Sequence, residues 1–185
     1  MKVKDVILSA LSVLGRRDIA ALLKAGGTLT AGDAEVVETL LYCFNATEDE
    51  LARKYFPLVC TDTVISSNGE FNYTIFLHAP VKINKVIADG KEVEFELFPK
   101  FMRVDAKKIT VEFEYAPAKK TIDGDSDFGS EVGEYLLALG SVAEYCLING
   151  ETEAAEIWEE KYRRHIDGAQ KRLPSGGTIP PRRWI

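Results

Sequence analysis

The hydrophobic pattern of this chain changes its period twice, and that change limits the possible folds more than any other feature. Apolar residues recur with helical spacing in the first third, alternate with polar residues in the middle third, and return to helical spacing afterwards. A period near 3.6 buries one face of a helix, whereas a period of 2 buries one face of a strand. We therefore predict an α+β fold with N-terminal helices, a small antiparallel β insertion, a C-terminal helical hairpin and an extended C-terminal tail.

The first block, residues 1–58, is predicted to be helical. Its earliest apolar residues fit one face of an amphipathic helix: Val3, Val6, Ile7, Ala10, Leu11 and Leu14. Thr30 is the predicted N-cap of a later helix, because its hydroxyl can accept a hydrogen bond from the first turn. Residues 47–50 read Thr-Glu-Asp-Glu, a capping-box pattern that predicts the start of another short helix, which then stops at Pro57.

The second block, residues 59–117, is predicted to hold five or six strands. Asn68-Gly69 and Asp89-Gly90 are strong signals for two-residue hairpin turns. Apolar residues alternate in this block with five glutamates: Glu92, Glu94, Glu96, Glu112 and Glu114. Such alternation is typical of antiparallel strands with one buried face, so we interpret the glutamates as one solvated face.

The third block, residues 118–173, is predicted to be a helical hairpin that forms one domain with the first block. Its first helix should begin near Phe128 and end at Asn149-Gly150, because Gly is the preferred residue after a helix C-terminus. The return helix should carry Trp158 as a buried residue on its apolar stripe. Two glycines one heptad apart are predicted to let a neighbouring backbone approach closely: Gly133 and Gly140.

Residues 174–185 form the predicted tail. Pro174 ends the helix, the following glycines loosen the chain, and Pro180-Pro181 stiffen it again. Its last residues include tryptophan and arginine, the types most enriched at interface hot spots. We predict a docking arm made of Ile179, Pro180, Pro181, Arg182, Arg183, Trp184 and Ile185. The alternative is a tail that folds back on its own domain, with Trp184 in a groove.

Composition narrows the function classes. The 46% hydrophobic and 28% charged residues are ordinary for a soluble protein, and no apolar run approaches the ~20 residues that span a bilayer. The net charge of −6 argues against a duplex-DNA-binding protein, which would carry a basic face. Asp5 interrupts the first apolar run, so we expect no signal peptide and an origin in the cytoplasm. The three cysteines lack metal-type spacing and are interpreted as reduced thiols.

Catalytic motifs are absent from the sequence. It contains no GxSxG, HExxH, P-loop or GxGxxG pattern. His78 and His165 are isolated, and isolated histidines are more often structural than catalytic. We therefore predict that the protein is not an enzyme and uses no cofactor.

Residues 123–134 resemble a calcium loop of the EF-hand type. Acidic side chains fall at loop positions 1, 3, 5, 9 and 12, and the candidate ligands are Asp123, Asp125, Asp127 and Glu134. Position 6, where the sharp turn requires Gly, is Phe128, and the preceding residues do not form an entering helix. The alternative interpretation is an Asp- and Ser-rich turn that caps the following helix.

Three segments together resemble the head–tail adaptor (connector) proteins of tailed phages and prophages. They are KYFPL at Lys54–Leu58, GEYLLALGSVAEYCLINGETEAAEIWEEKYRRHI at Gly133–Ile166, and IPPRRWI at Ile179–Ile185. The resemblance implies N-terminal helices, a β insertion, a C-terminal helical pair and an extended tail.

The resemblance also implies a structural virion protein at the head–tail junction, made in the host cytoplasm. It implies a homo-oligomeric, dodecameric ring that binds beneath the portal protein, contacts a downstream tail or connector protein, and lets DNA pass without sequence-specific binding. The C-terminal arm would reach the portal, and the five glutamates are candidates for the channel lining. Two alternatives remain: another phage tail-completion or assembly protein, and a small ligand- or calcium-binding module.

Overall fold

The computed structural model describes residues 1–129 and 132–171, and it confirms the α+β fold. The helices in these residues are α1 (Val3–Val13), α2 (Arg17–Ala25), α3 (Ala31–Lys54), α4 (Glu134–Ile148) and α5 (Thr152–Gln170). The strands are β1 (Leu58–Ile65), β2 (Glu70–Asn72), β3 (Pro80–Ala88), β4 (Lys91–Glu92), β5 (Glu96–Leu97), β6 (Phe101–Arg103) and β7 (Lys108–Tyr115). A short 3-10 helix, Tyr73–Ile75, follows β2. The predicted tail at 174–185 lies outside the described residues.

Helices from both ends of the chain share one hydrophobic core. Buried residues of α1, α2, α3, α4 and α5 belong to a single cluster. The central helix is α4, in which every residue from Leu136 to Ala143 is buried. A helix that is buried all round must have neighbours on every side, and α4 packs against α1, α3 and α5.

Helix α3 is longer than predicted. The hydroxyl of its N-cap, Thr30, accepts a hydrogen bond from the Asp33 N–H at 3.2 Å, which confirms the predicted start. The predicted second start at 47–50 is wrong, because α3 runs unbroken from Ala31 to Lys54. Thr47 and Glu48 lie on the buried side of this helix and are 2% and 1% exposed. A capping pattern inside a helix does not end it where neither Gly nor Pro interrupts the backbone.

The predicted boundaries of the helical hairpin are only partly correct. Helix α4 begins at Glu134, not near Phe128, because Gly133 adopts a φ of +82° just before it. Its C-terminus matches the prediction, with Asn149 as C-cap and Gly150 at a φ of +75°. Trp158 is only partly buried, and the Lys161 ammonium lies over its ring, 4.0 Å from the ring centre. The buried aromatic of α5 is instead Tyr162, which is 3% exposed.

Gly140 is the point of closest packing in the helical core. A Cβ atom there would overlap the Thr47 methyl group and lie 2.8 Å from Cε2 of Tyr162. The close neighbours are therefore side chains of α3 and α5 rather than the predicted backbone. At Gly133, no atom lies within 4 Å of an added Cβ. Glycine is therefore favoured there by the positive φ and not by close packing.

The β insertion has its own core and two sheets. The larger sheet has the order β1-β7-β3-β4, and the smaller has the order β2-β6-β5. Neighbouring strands are antiparallel, as predicted. The core between the sheets includes three fully buried residues, Phe71, Met102 and Phe113.

The two predicted hairpins have different outcomes. Asp89-Gly90 joins the paired strands β3 and β4, and both residues have positive φ, at 50° and 77°. Asn68-Gly69 instead carries the chain from the larger sheet to the smaller one. At that crossing, the backbone of Gly69 approaches Val104 so closely that a Cβ would lie 2.6 Å from the Val104 carbonyl oxygen.

Replacing Gly140 should test the close packing around α4. We expect Gly140→Ala to lower the free energy of unfolding by about 1–3 kcal/mol, the usual cost of overpacking a core. This loss should occur although alanine favours a helix interior by about 1 kcal/mol over glycine. Urea denaturation measures the difference.

Gly168→Ala in α5 provides the matched control, because no atom lies within 4 Å of the added Cβ. It should raise the free energy of unfolding by roughly 0.5–1 kcal/mol. If both variants gain stability, the close contact at Gly140 is not a packing constraint.

Candidate functional surfaces

The acidic loop holds the N-terminus of α1 and does not gather its carboxylates. Asp125 pairs with the Lys2 ammonium at 2.7 Å, and Asp127 pairs with the Lys120 ammonium at 2.7 Å. The Glu134 carboxylate accepts a hydrogen bond from the Ser9 hydroxyl. Within 1–129 and 132–171, no three His, Cys, Asp or Glu side chains are grouped so as to hold a metal ion. The geometry therefore favours a structural turn over a calcium loop.

Backbone contacts show what this turn does. The Val3 N–H donates to the Gly124 carbonyl at 3.1 Å, and the Ser126 N–H donates to the Met1 carbonyl at 2.9 Å. These bonds satisfy groups at the start of α1, where a helix leaves its first N–H groups without internal partners. The Lys2 ammonium also lowers the pKa of the Asp125 carboxyl. The turn thus joins the beginning of the chain to the segment that precedes α4, although it does not cap α4 as predicted.

The buried carboxylate of Glu48, on α3, binds the same turn through hydrogen bonds. Oε1 of Glu48 accepts hydrogen bonds from the Ser126 hydroxyl at 2.6 Å and from the Asp127 N–H at 2.9 Å. Its other oxygen, Oε2, has no hydrogen-bond partner among the described residues. Desolvation by burial raises the pKa of Glu48, and this effect outweighs the two hydrogen bonds and the nearby Lys120 charge. The sequence pattern concealed this residue, because Glu48 sits inside what looked like a capping box.

Asn45 holds the chain one turn earlier on the same helix. Its side-chain oxygen accepts from the Lys120 N–H at 2.6 Å, and its amide nitrogen donates to the Lys120 carbonyl at 3.2 Å. Together, Asn45 and Glu48 bind the segment that connects β7 to α4. This segment carries the chain from the β insertion back to the helical body.

The raised pKa of Glu48 predicts a pH-dependent stability. A carboxyl whose pKa is higher in the folded state stabilises the fold fully below its unfolded pKa, and this contribution is lost as pH rises through the folded pKa. Glu48→Gln keeps the accepting oxygen and cannot ionise. We expect the variant to match the wild type at about pH 4, near the unfolded pKa of glutamate, and to exceed its free energy of unfolding at neutral pH.

Urea denaturation across this pH range measures the difference between the two proteins. Glu50→Gln is the control, because Glu50 lies on the same helix but pairs at the surface with Lys54 at 2.8 Å. A surface change of this kind should shift stability by less than about 0.5 kcal/mol at any pH. A constant gap between wild type and Glu48→Gln would contradict the assignment.

The five predicted glutamates do not share one face. Glu92, Glu112 and Glu114 lie on the outer side of the larger sheet, whereas Glu96 belongs to β5 in the smaller sheet. Glu94 lies between the two, where the predicted continuous strand breaks into β4 and β5. Val93 and Phe95, on either side of Glu94, both pack against the core between the sheets as the chain passes from the larger sheet to the smaller one.

Lysines neutralise the outer side of the larger sheet. The Lys82 ammonium pairs with Glu114 at 2.7 Å, and the Lys85 ammonium pairs with Glu92 at 3.4 Å. Lys85 also faces Glu112 across the β3–β7 pair. The alternation of period 2 along β7 identified its solvated side correctly. It did not predict the charge of that side, because the neutralising lysines lie on β3, whose pattern is less regular.

A cation and two aromatic rings close the turn between β5 and β6. The Phe98 and Phe101 rings stack with centroids 4.7 Å apart, and the Arg103 guanidinium lies 5.1 Å from the centre of the Phe98 ring. Arg103 also pairs with Glu70 at 2.9 Å and approaches Glu96 at 4.0 Å. This cluster was not predicted from the sequence; the F-P-K-F-M-R spacing at Phe98–Arg103 is the signal that could have revealed it.

Both histidines contact tyrosine rings. His78 stacks on Tyr115 with ring centres 4.1 Å apart, and His165 meets Tyr135 edge-on at 5.3 Å. These contacts suit structural roles.

The predicted docking arm, Ile179 to Ile185, lies outside the described residues and stays a prediction.

Comparison of the chain with models of known protein families and with curated proteins found no match. In the described part of the chain, no helix combines the length and apolar character needed to cross a membrane.

Proposed function

We propose that this protein is a head–tail adaptor, a structural subunit of a virion ring beneath the portal around the DNA exit channel. The observation that carries the proposal is the arrangement of the two helical blocks. Residues from α1 to α3 and from α4 to α5 form one core, and the β insertion is placed between them in the chain. This is the layout that the sequence resemblance implies.

The end of the helical body supports a docking role for the tail. Helix α5 ends at Gln170, whose side chain approaches the Tyr55 carbonyl at the end of α3 at 3.5 Å. The tail sequence, which lies outside the described residues, contains Pro180-Pro181; the fixed φ of proline favours an extended segment and would lower the cost of ordering it on binding. Arg182 and Arg183 can pair with carboxylates of the portal, and Trp184 offers a large apolar surface.

Charge supports weak contact with passing DNA. A net charge of −6 repels phosphate, and Lys82 and Lys85 on the outer side of the larger sheet are paired with glutamates. A surface of this kind has little free positive charge with which to release counterions and hold the duplex. The glutamates of the β insertion remain our candidates for the channel lining.

The test of the proposal is co-expression with the portal protein of the same genome. We expect a stable complex in which electron microscopy shows a ring of this protein on one end of the portal. Absence of any complex at micromolar concentrations of both proteins would overturn the proposal.

Deleting residues 178–185 should remove portal binding and leave the melting temperature unchanged. Trp184→Ala should be the most damaging single change in the tail and should weaken binding by roughly 2 kcal/mol or more, as hot-spot residues do. Pull-down on the portal and thermal melting of the same samples measure the two effects.

The basic residues of the tail have a matched control on α5. Arg182→Ala/Arg183→Ala and Arg163→Ala/Arg164→Ala remove the same charge, but Arg163 and Arg164 pair with Glu159 and Glu160 on their own helix. Only the tail variant should lose portal binding. Equal losses would assign the effect to net charge and would refute a specific arm.

A further inference from the structure

Strand β1 has an unpaired main-chain edge. It pairs with β7 on one side. The Ser66 N–H donates to the Lys107 carbonyl, so Ser66 and Lys107 form a hydrogen-bonded pair in this ladder. In an antiparallel ladder, hydrogen-bonded and non-hydrogen-bonded pairs alternate. The N–H and C=O groups of the odd-numbered residues 59–65 therefore point away from β7. No hydrogen bond within the described residues reaches these groups.

The side chains along this edge favour the addition of a strand. They are β-branched, uncharged and exposed: Val59, Thr61, Thr63 and Ile65. Proteins usually protect such an edge with lysine, proline or a bulge, because it can pair with another chain. Strand β1 carries none of these, and its ladder with β7 is regular over eight residue pairs. Its one charged residue is Asp62, on the side of the sheet that faces the core. A long edge of this kind marks an interaction surface.

The opposite edge of the same sheet is complementary to β1. Ala88 and Lys91 flank the two-residue turn, and the Val93 N–H donates to the Val86 carbonyl at 3.0 Å. By the same alternation, Glu92 directs its N–H and C=O away from β3. Lys91 lies on the side of the sheet to which Asp62 of β1 belongs, and both are at its free edges. Oδ2 of Asp62 accepts a hydrogen bond from the Leu77 N–H at 2.9 Å, and the carboxylate keeps its negative charge for pairing with an ammonium group.

Pairing of two β1 strands is disfavoured by Asp62. The antiparallel alignment that uses all of β1 sets Val59 opposite Ile65 and brings the two Asp62 carboxylates directly opposite each other. Like charges in this arrangement destabilise a strand pair. The partner that fits β1 is thus a different edge.

We propose that β1 of one copy pairs with β4 of a second copy, which continues the larger sheet from subunit to subunit. The alignment sets Glu92 opposite Thr61 as a hydrogen-bonded pair. Lys91 then faces Asp62 in the adjacent non-hydrogen-bonded pair, where side chains are closest. Because β4 is antiparallel to β1 within one sheet, the added pair is antiparallel as well.

This contact joins two different surfaces, and repeated contacts of that type close into a ring when the rotation between copies allows it. The inference deepens the proposed function by naming the contact between ring subunits, and it rests on that function for the ring itself.

Engineered disulfides test the contact. Thr61→Cys/Glu92→Cys, built on Cys60→Ser, should give a ladder of covalent multimers on oxidation, because hydrogen-bonded pairs have Cα atoms about 5.5 Å apart. Within one chain, two strands separate these positions, by roughly 14 Å. Cys43 and Cys146 are buried and remain as they are.

Two controls fix the register and the symmetry. Ile65→Cys/Glu92→Cys moves one thiol about 13 Å along β1 and should give no ladder. Thr61→Cys alone, also on Cys60→Ser, should stay monomeric, and a covalent dimer would show that two β1 strands meet instead. That result would overturn the proposed pairing.

The oxidation is carried out on the portal complex and on the concentrated protein alone. A ladder in either sample supports the pairing, and its absence from both overturns it. Rings on the portal without a ladder would refute this contact while leaving the adaptor function intact. A ladder without portal binding would refute the adaptor function and leave the contact.

Reversing one charge gives an independent test. Lys91→Glu should reduce the ladder at least several-fold, and Lys91→Glu/Asp62→Lys should restore it. Lys100→Glu is the control, because it makes the same charge change in the turn between β5 and β6.

Discussion

The burial of α4 is the constraint on which the rest of the molecule depends. Eight successive residues of this helix are buried, so α1, α3 and α5 must surround it. Ala138, Gly140 and Ser141 have small side chains that let these neighbours come close. At Gly140 the space of a single methyl group is filled by Thr47 and Tyr162. The core of the first third of the chain is therefore complete only with the residues of the last third.

Much of this arrangement could be predicted from the sequence, because amphipathic helices reveal which face they bury. Helix α1 was predicted correctly from its apolar face. The start of α3 at Thr30 and the end of α4 at Asn149-Gly150 were also predictable, because capping depends on local residue types. The prediction failed where tertiary contacts decide. Glu48 looks like a capping residue until Ser126 and Asp127, almost eighty positions away, supply its hydrogen bonds. Trp158 looked buried by spacing, but its ring lies at the margin of the core.

The surfaces were harder to predict than the core. Alternation identified the exposed side of β7 but not the lysines on β3 that neutralise it, because strand pairing is not encoded in either strand alone. The break between β4 and β5 was hidden by a continuous alternating pattern across residues 92–97. The candidate arm at Ile179–Ile185 rests on sequence alone. The unpaired edge of β1 could be recognised only after the order of the strands was known.

The β insertion leaves and re-enters the helical body through neighbouring positions. Leu58 at the start of β1 lies opposite Tyr115 at the end of β7. The two points at which the chain enters and leaves the insertion are thus as close as the ends of a hairpin. The helical body has to span only that short gap. Any polypeptide whose termini lie one strand spacing apart, about 4.8 Å, would close it equally well. Changes confined to the strands and loops between these two positions therefore leave the path of the chain through the helical body unaltered.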